Sequence, residues 1–517
     1  MKIKNIIMIL LVITVGITSI SCKPDQNTSS DVSIISKTET SMAISVSTES
    51  EILSSDLSVT SSEVSGVSSG STISTASAGN SIAASSSNAF SRIISNQKTI
   101  NRNFTIASGT KKMVDGLNFG GKTLKMLIWT QMDSPQFRQE VKDFESKFNC
   151  KVSIDAITHS QFMTKLSTTI SAGKPYDIVY NHGSFYPTVV INNVLEPLNP
   201  YMTTADLYNP SNINAGGIDI EKSKYYAWDG KLFATSYYRQ VNIMVIYYNK
   251  KKFQEAELED PMTLYKKGQW TWEKFNQMGK EVTDPAKNIY FGDASFHYLT
   301  IPMANGGHFV KEINGVLSEN LKSTELINGL KLMQQMSTGA SRIFSNEGST
   351  EWPTNLLAGK VYTWVSEISC YEQKFNDNIK NNNVFGNDYK NLGVVPVPLG
   401  LDNKNKEYPA SWINGISSSR GSKNPKAAVA FSIFESSYQN SVSAELPSVR
   451  RDLATSFDPL YKTVNYMDFG YRDSSDAVND VAVGICQATS MGRDINELLS
   501  GNQKRVQGLI NLVLSAQ

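Results

Sequence analysis

Apolar residues along the middle of the chain follow two kinds of spacing, one typical of strands and one typical of helices. The two kinds alternate and predict strands and helices in turn. Leu124–Thr130 is a nearly continuous apolar run, which is typical of a strand buried on both faces. Ser134 and Pro135 then form a typical helix N-cap and first-turn pair. The next apolar residues recur at helical spacing and would share one face: Phe137, Val141, Phe144 and Phe148.

The same succession continues, with strands at Val152–Ile157 and Asp177–Asn181 around a helical pattern that ends at Gly173. This β-α-β-α-β order predicts an α/β protein with a parallel sheet and right-handed crossovers. Binding sites in such sheets lie beyond the carboxyl ends of the strands. The polar and aromatic residues at those ends are Trp129-Thr130, Thr158-His159, Asn181, His182 and Ser184.

A second unit follows, again with mixed patterns. Thr271 is the predicted N-cap of a helix in WTWEKF, where we interpret Trp270 and Trp272 as core residues. Gly393–Gly400 contains two prolines, so it suits an extended crossing segment better than a central strand. Further strands are predicted at Asn242–Lys250, Gly359–Glu367 and Trp412–Ser419, with a helix from Asn424-Pro425 and mostly helices up to Gln517.

The amino-terminal region has no such periodicity. Lys2 and Lys4 precede a short apolar stretch, Ile6–Ile20, which is typical of a secretory signal at residues 1–21. Residues 22–115 then form a predicted tether, in which about one residue in three is Ser up to Ser95. Such a composition cannot bury enough apolar area to fold, and ~75 flexible residues would span roughly 45–50 Å.

Composition narrows the possible functions. The net charge of +1 gives no argument for nucleic-acid binding, so we expect no nucleic-acid partner. Besides Cys22, only Cys150, Cys370 and Cys486 occur, too few for a disulfide framework, although a Cys370–Cys486 bridge is possible. The four histidines show no metal-site spacing, and we predict no metal and no cofactor.

Cys22, directly after the leader, resembles the lipid-modified first residue of bacterial lipoproteins. Ser19 stands where such signals usually carry Leu. Lipidation of Cys22 would anchor the protein to the outer face of the cell membrane. The alternative is an ordinary cleaved signal followed by an incidental thiol.

Several stretches, in this order, resemble the family 1 extracellular solute-binding proteins, the sugar-capturing lipoproteins of ABC importers that include maltose-binding protein. They include QWTWEKF, NGGHF and AGKVYTWV, and are spread across most of the span from Gly121 to about Asn440. The stretches are Gly173–Tyr201, Ala227–Phe253, Gln269–Phe275, Asn305–Phe309, Ala358–Val365 and Gly415–Phe431.

The resemblance implies a two-lobed periplasmic-binding-protein-like fold with a hinge of crossing segments, and a non-catalytic receptor. Lobe 1 would comprise residues 116–240 and 398–438, and lobe 2 residues 241–397 and 439–517. A sugar would bind in the cleft and be delivered to ABC transporter permease subunits. We expect a monomer that closes by a hinge motion.

Sugars present apolar C–H faces and a ring of hydroxyl groups, so a sugar site needs aromatic plates and hydrogen-bonding groups in a concave surface. We predict both at the cleft. Trp364 lies where the resembled family places a stacking aromatic. The candidate ligand-binding residues are Trp129, Asn181, His182, Ser184, Tyr237, Tyr238, Arg239, Trp364, Glu367, Trp412 and Asn414.

Two alternatives to a transport receptor stay open. A secreted carbohydrate-active hydrolase would need two carboxylates across the scissile bond. Glu367 and Asp229 are available, but no sequence feature brings two carboxylates to one site. A surface adhesin built on the same two-lobed fold would bind sugar without transporting it.

Overall fold

The computed structural model describes residues 100–209, 215–237, 240–293, 297–345, 353–368, 391–444, 464–466 and 478–515. Predictions for the leader, Cys22, the tether before residue 100, Tyr238, Arg239 and Cys370 lie outside these residues. Residues 100–115, predicted as the end of the flexible tether, instead lie against the folded body, where the Ile100 N–H bonds to the Gly315 carbonyl and the Met113 N–H donates to Asp206 Oδ1 at 2.6 Å. The side chain of Trp412 also lies outside the description, although its backbone belongs to a strand.

The predicted β-α-β-α-β unit is confirmed. Strands β1 (Thr123–Trp129), β2 (Lys151–Ile157) and β3 (Ile178–His182) are connected by helices α1 (Pro135–Phe148) and α2 (Phe162–Ser171). Both β2 and β3 pair with β1 in parallel. The side chain of Ser134 accepts a hydrogen bond from the Phe137 N–H, so the predicted N-cap is formed.

The remaining strands extend this sheet or form small hairpins. They are β4 (Ala227–Trp228), β5 (Lys231–Leu232), β6 (Val241–Asn249), β7 (Tyr290–Asp293), β8 (Val310–Ile313), β9 (Val316–Glu319), β10 (Phe344–Ser345), β11 (Val361–Glu367), β12 (Leu392–Pro396), β13 (Tyr408–Ser417) and β14 (Val464–Tyr466). The sheet runs in the order β10-β7-β11-β6-β13-β3-β1-β2, with β12 paired to β6 and β14 paired to β13.

Helices pack against this sheet and also form the carboxyl-terminal region. They are α3 (Thr188–Ile191), α4 (Ile220–Ser223), α5 (Lys250–Glu255), α6 (Pro261–Lys266), α7 (Trp272–Val282), α8 (His297–Ala304), α9 (Thr324–Ser337), α10 (Thr354–Leu357), α11 (Lys426–Ala444), α12 (Val478–Ser490) and α13 (Ile495–Ser515). In the part of the chain that is described, no helix is both long enough and apolar enough to span a bilayer.

Strand β13 joins the two halves of the sheet. Its first part pairs antiparallel with β6, with Ala410 opposite Ile243 and Ile413 opposite Val241. Its last part pairs antiparallel with β3, with Ile416 opposite Tyr180. The first half therefore contains β1, β2 and β3, the second contains β6, β7, β10, β11 and β12, and β13 belongs to both.

The proline-containing segment is extended, as predicted, but it also pairs with the sheet. Leu392–Pro396 is a strand, β12, that pairs antiparallel with β6 along five residues. The prolines are compatible with it because Pro396 is its last residue and Pro398 follows it, where a missing N–H removes little from the ladder. Trp270 packs against this strand, and its Nε1 donates a 2.8 Å hydrogen bond to the Pro396 carbonyl.

Aromatic side chains fill much of the core. Trp272 is fully buried and packs edge-to-face on Phe275, and Trp270 is 5% exposed, so their predicted packing role is confirmed. Cys150 and Cys486 are buried free thiols, and burial raises the pKa of Cys150 to about 11. Both thiols therefore behave as small apolar core groups at neutral pH.

Candidate ligand-binding site

A row of polar positions crosses the centre of the sheet. In the pairing of β13 with its neighbours, Asn414 lies opposite His182 and Trp412 lies opposite Asn242. Trp412 and Asn414 are two residues apart on one strand, so they occupy the same face. These four positions therefore bring the carboxyl end of β3 and the start of β6 to one surface.

Glu367 extends this row into the second half of the sheet. It ends β11 and lies opposite Met244, which shares a face of β6 with Asn242. The Asn242 Nδ2 donates a 2.6 Å hydrogen bond to the Glu367 Oε2. We name the four polar side chains Glu367, Asn242, Asn414 and His182, which lie around the backbone of Trp412, the polar row.

An aromatic cluster lies at the first-half end of the polar row. The Trp129 ring centroid is 5.5 Å from that of His159 and 5.8 Å from that of Phe185, both in stacked geometry. His182 approaches Trp129 edge-on at 5.9 Å, and Phe162 lies beneath the cluster at 4.6 Å from Trp129. These residues follow β1, β2 and β3, where the parallel strands predict a site.

Ser184 connects the two histidines of the cluster. Its Oγ lies 2.9 Å from His159 Nε2 and 2.7 Å from His182 Nδ1, and its backbone N–H donates to His182 Nδ1 at 3.2 Å. Burial, and secondarily the neighbouring His159, lowers the pKa of His182 to about 3. His182 is therefore neutral at physiological pH and accepts hydrogen bonds through Nδ1.

Gly183 allows β13 to approach this turn closely. A Cβ at residue 183 would lie 2.6 Å from the Ile413 carbonyl oxygen, which is closer than real Cβ contacts permit. Only glycine therefore fits between His182 and Ser184 without moving β13.

Several buried polar atoms at the site have no hydrogen-bond partner among the described residues. They are Trp129 Nε1, Asn181 Oδ1, Asn181 Nδ2 and Asn414 Oδ1. Unsatisfied buried polar groups are costly, so atoms of this kind are suited to form bonds with an incoming polar group. The Asn181 side chain is fully buried and, because side chains alternate along β3, lies on the face opposite His182 and the polar row, whereas Asn414 is partly buried on the face of the row.

A cavity of about 710 Å³ opens beside the aromatic cluster. It lies between α2, α3 and the end of α13, and its size falls within the usual range of ligand pockets. Its lining mixes hydroxyl and apolar groups: His159, Ser160, Met163, Thr164, Ser167, Thr168, Phe185, Thr188, Ile191, Asn192, Leu512, Val513 and Ser515.

Two sequence-predicted site residues lie elsewhere. Trp364 is fully buried and packs against Tyr247 with a centroid distance of 5.6 Å. Side chains alternate along β11, so Trp364 faces away from Glu367 and the polar row. Tyr237 is 6% exposed, and its backbone N–H bonds to Gln240 Oε1 at 3.3 Å. Neither ring is available to a ligand in this conformation.

Three residues at the site were absent from the sequence-based candidates. His159 lies two residues after the end of β2 and is among the residues noted at the strand ends, but it is not among the predicted ligand-binding residues. Phe185 follows Ser184, and a single Phe after a strand is typical of core packing, so the sequence carried no signal for it. Asn242 could be recognised only from the register that places it beside Glu367. No group of three or more His, Cys, Asp or Glu residues suited to a metal occurs within the described ranges.

Comparison with known proteins shows which family and which solved structures this chain resembles. The family model described as bacterial extracellular solute-binding protein matches residues 139–441. A curated relative, the diacetylchitobiose binding protein DasA of Streptomyces coelicolor, is 28% identical over 218 residues, which are 41% of this chain and 46% of that protein. The match thus spans about half the length of this relative.

Solved structures agree at the level of the fold. The sugar-binding protein MalE of Xanthomonas citri is 15% identical, with a TM-score of 0.59 over 75% of this chain and 98% of that one. An ABC substrate-binding protein from Listeria monocytogenes in complex with cycloalternan is 16% identical, with a TM-score of 0.57 over 76% and 99%. The predicted two-lobed α/β fold is therefore confirmed.

The family assignment also decides between receptor and catalyst. The matching family consists of binding proteins, and its model covers more than half of the chain, including β3, β6, β11 and most of α11. The chain belongs to the bacterial extracellular solute-binding proteins, a family of non-catalytic receptors.

Proposed function

We propose that the protein captures an uncharged mono- or oligosaccharide between its lobes and delivers it to the permease of an ABC importer. The observation that carries this proposal is the aromatic cluster joined to the polar row through His182 and Ser184. The exposed ring of the cluster is His159, which stacks on the buried Trp129 and would offer a flat face to the C–H face of a sugar, and the row offers hydrogen-bonding groups for its hydroxyls.

The charge of the site supports a neutral ligand. The cavity lining contains no Asp, Glu, Lys or Arg among the described residues, and His182 is neutral because its pKa is about 3. Glu367 is the one acidic member of the polar row and already accepts a hydrogen bond from Asn242. A polyamine would need more acidic groups, and an anionic ligand would need basic ones.

Relatives support the same ligand class. The curated relative is named for diacetylchitobiose, and the two structural neighbours are described with cycloalternan or as sugar-binding. The share of that curated relative matched is under half, so the ligand and the permease partner of this chain are part of the proposal.

We assign the lobes as predicted, with residues 116–240 and 398–438 in lobe 1 and residues 241–397 and 439–517 in lobe 2. Strands β6 and β13 would act as the hinge, because they are the strands through which the two halves of the sheet pair. Trp129, His182, Ser184 and Asn414 would contact the ligand from lobe 1. Glu367 would contact it from lobe 2, and Trp412, Tyr238 and Arg239 are proposed from sequence.

The protein acts outside the cytoplasm, as its family does. We further propose that residues 1–21 are removed, that a lipid on Cys22 anchors the protein, and that the tether leaves a monomeric receptor free to rotate. Cys22→Ser should move the protein from the membrane fraction to the medium. Unchanged membrane association of this variant would contradict the anchor and leave the receptor proposal intact.

Thermal denaturation with a ligand panel tests the receptor proposal. Neutral mono- and oligosaccharides should raise the melting temperature, whereas peptides and polyamines should not. A shift with peptides or polyamines alone would refute the sugar class. Release of shorter sugars during incubation would favour the hydrolase, and sugar binding without any uptake defect after gene deletion would favour the adhesin.

A further inference from the structure

The chain from Ile100 to Arg102 lies between the two lobes. The Ile100 N–H donates a 2.8 Å hydrogen bond to the Gly315 carbonyl, in the hairpin formed by β8 and β9. On the other side, the Gly230 N–H donates a 3.0 Å bond to the Asn101 carbonyl. Gly315 belongs to proposed lobe 2 and Gly230 to proposed lobe 1, so this short segment bonds to both.

Arg102 makes the strongest of these connections. Its guanidinium forms a fork on Glu312, with Nε 3.1 Å from Oε1 and 3.0 Å from Oε2, and Nη2 2.8 Å from Oε2. This geometry provides directional, charge-assisted bonds, which makes the pair stronger than an ordinary surface contact. Glu312 lies on β8, within the hairpin of lobe 2.

The same guanidinium is held by lobe 1. Its Nη1 donates to the Tyr186 hydroxyl at 3.0 Å and to the Tyr225 carbonyl at 3.1 Å. The Arg102 Cζ lies 5.6 Å from the Tyr186 ring centroid, and the Tyr186 hydroxyl itself donates to the Ala227 carbonyl at 2.6 Å. Arg102 is therefore fixed on lobe 1 through one nitrogen and on lobe 2 through the other two.

The hairpin moves with lobe 2, because helix α13 holds it there. Gln507 Oε1 accepts a 2.9 Å hydrogen bond from the Glu319 N–H, and Gln503 Nε2 donates to Glu319 Oε1 at 2.8 Å. Leu317, on β9, is 1% exposed. A displacement of lobe 2 relative to lobe 1 would thus be transmitted to Glu312.

We propose that residues 100–102 form an interlobe strap, in which the Arg102–Glu312 ion pair holds the lobes together and favours the closed state. The inference rests on the proposed lobe assignment and hinge motion. Separation of the lobes by more than a few ångströms would break the fork on Glu312, so the pair opposes opening and slows release of a captured ligand.

The cleanest variant is Glu312→Ala, because it removes the lobe 2 partner and leaves the lobe 1 contacts of Arg102 in place. Glu221→Ala is the matched control, since the Glu221–Lys224 pair at 2.7 Å lies within lobe 1. Spin labels at Lys174→Cys and Lys266→Cys report the interlobe distance in the ligand-free protein. Cys22 and Cys370 are replaced by serine in every sample, and Cys150 and Cys486 are buried.

Glu312→Ala should add a population at a longer label distance, and Glu221→Ala should not. Arg102→Lys, which keeps the charge but loses the fork, should give an intermediate result. Identical distance distributions for the wild type and Glu312→Ala would overturn the strap, as would an equal change in Glu221→Ala. This measurement needs no sugar, so a failed ligand panel would not affect its outcome.

If a sugar binds, Glu312→Ala should also release it about three- to tenfold faster, with a smaller change in the association rate. An unchanged dissociation rate in Glu312→Ala would show that the pair does not restrain opening. Circular dichroism on every variant confirms that the comparison is made between folded proteins.

Discussion

Asn242 and Glu367 are joined by a 2.6 Å hydrogen bond across the antiparallel pair of β6 and β11, and both side chains are at most 8% exposed. Asn242 is the second residue of β6, and Glu367 ends β11, a strand of the second half of the sheet. The bond therefore fixes a carboxylate of the second half directly beside the proposed hinge.

Asn242→Ala should lower the free energy of unfolding by about 2 kcal/mol, because it leaves a buried carboxylate without this donor. Chemical denaturation monitored by tryptophan fluorescence measures the change. Gln277→Ala is a suitable control, since the Gln277–Glu281 bond is exposed on a helix. Equal stability of Asn242→Ala and the wild type would mean that the bond contributes no net stability.

Ser184→Ala should weaken sugar binding about tenfold with little effect on the melting temperature. The change removes the hydroxyl that lies between His159 and His182, so both rings lose a positioning partner at the proposed site. Isothermal titration with the sugar found in the panel measures the affinity.

Ser146→Ala is the control for this substitution, because the Ser146 hydroxyl bonds only its own helix, at the Lys142 carbonyl. An unchanged affinity in Ser184→Ala would remove Ser184 from the proposed site. A loss of affinity in both variants would point to a general effect on folding.

His182 should make the folded state less stable at acidic pH. Its pKa is about 3 in the folded protein and about 6.5 in the unfolded chain, so the unfolded state binds more protons between these values. The contribution of His182 to stability is fully present above pH ~6.5 and is lost as the pH falls towards 3. Melting temperatures from pH 7.5 to 4.0 should fall less steeply for His182→Gln than for the wild type; parallel curves would contradict the depressed pKa.

Glu435 should have the opposite pH dependence. It is buried on α11 beside Glu140 and contacts the Tyr180 hydroxyl, and burial, then Glu140, raises its pKa well above the usual value. The unfolded carboxyl ionises near pH ~4.3, so stability falls as the pH rises from that value towards the folded pKa. Glu435→Gln should flatten the decline in denaturation midpoint between pH 5 and 8. If the midpoint of Glu435→Gln declined as steeply as that of the wild type, groups other than Glu435 would be responsible for the decline.

How accurately each strand or helix can be predicted from the sequence depends on the residue pattern of that element. β1, α1 and the later strand β6 carry long apolar patterns and a clear cap, so their positions were predicted to within about two residues. The segment with Pro396 and Pro398 is extended and not a central strand, as predicted, but its pairing with β6 was not foreseen, because proline excludes a central strand and still permits a short strand at the edge of pairing.

The site was harder to predict, because pairing register decides which side chains meet. His182 and Ser184 could be placed together from the end of β3 alone, and the structure brings them together. Asn414 lies inside β13 and meets His182 through the pairing register. Whether Trp364 faces the core or the site could not be predicted from the strand ends. Side chains alternate along β11, so a shift of one residue would move Trp364 from the core face to the face of Glu367. Sequence patterns predict where strands end, whereas the pairing of strands in the sheet decides on which face each side chain lies.

Strand β13 has a practical consequence for dividing this protein into parts. Its residues near Ala410 complete the edge of β6, and its residues near Ile416 complete the edge of β3, so no cut between the lobes leaves both with intact sheets. A fragment ending before Tyr408 would expose the unpaired backbone of two strands at once, and such edges invite aggregation. The two halves of the sheet are consequently not units that can be expected to fold separately.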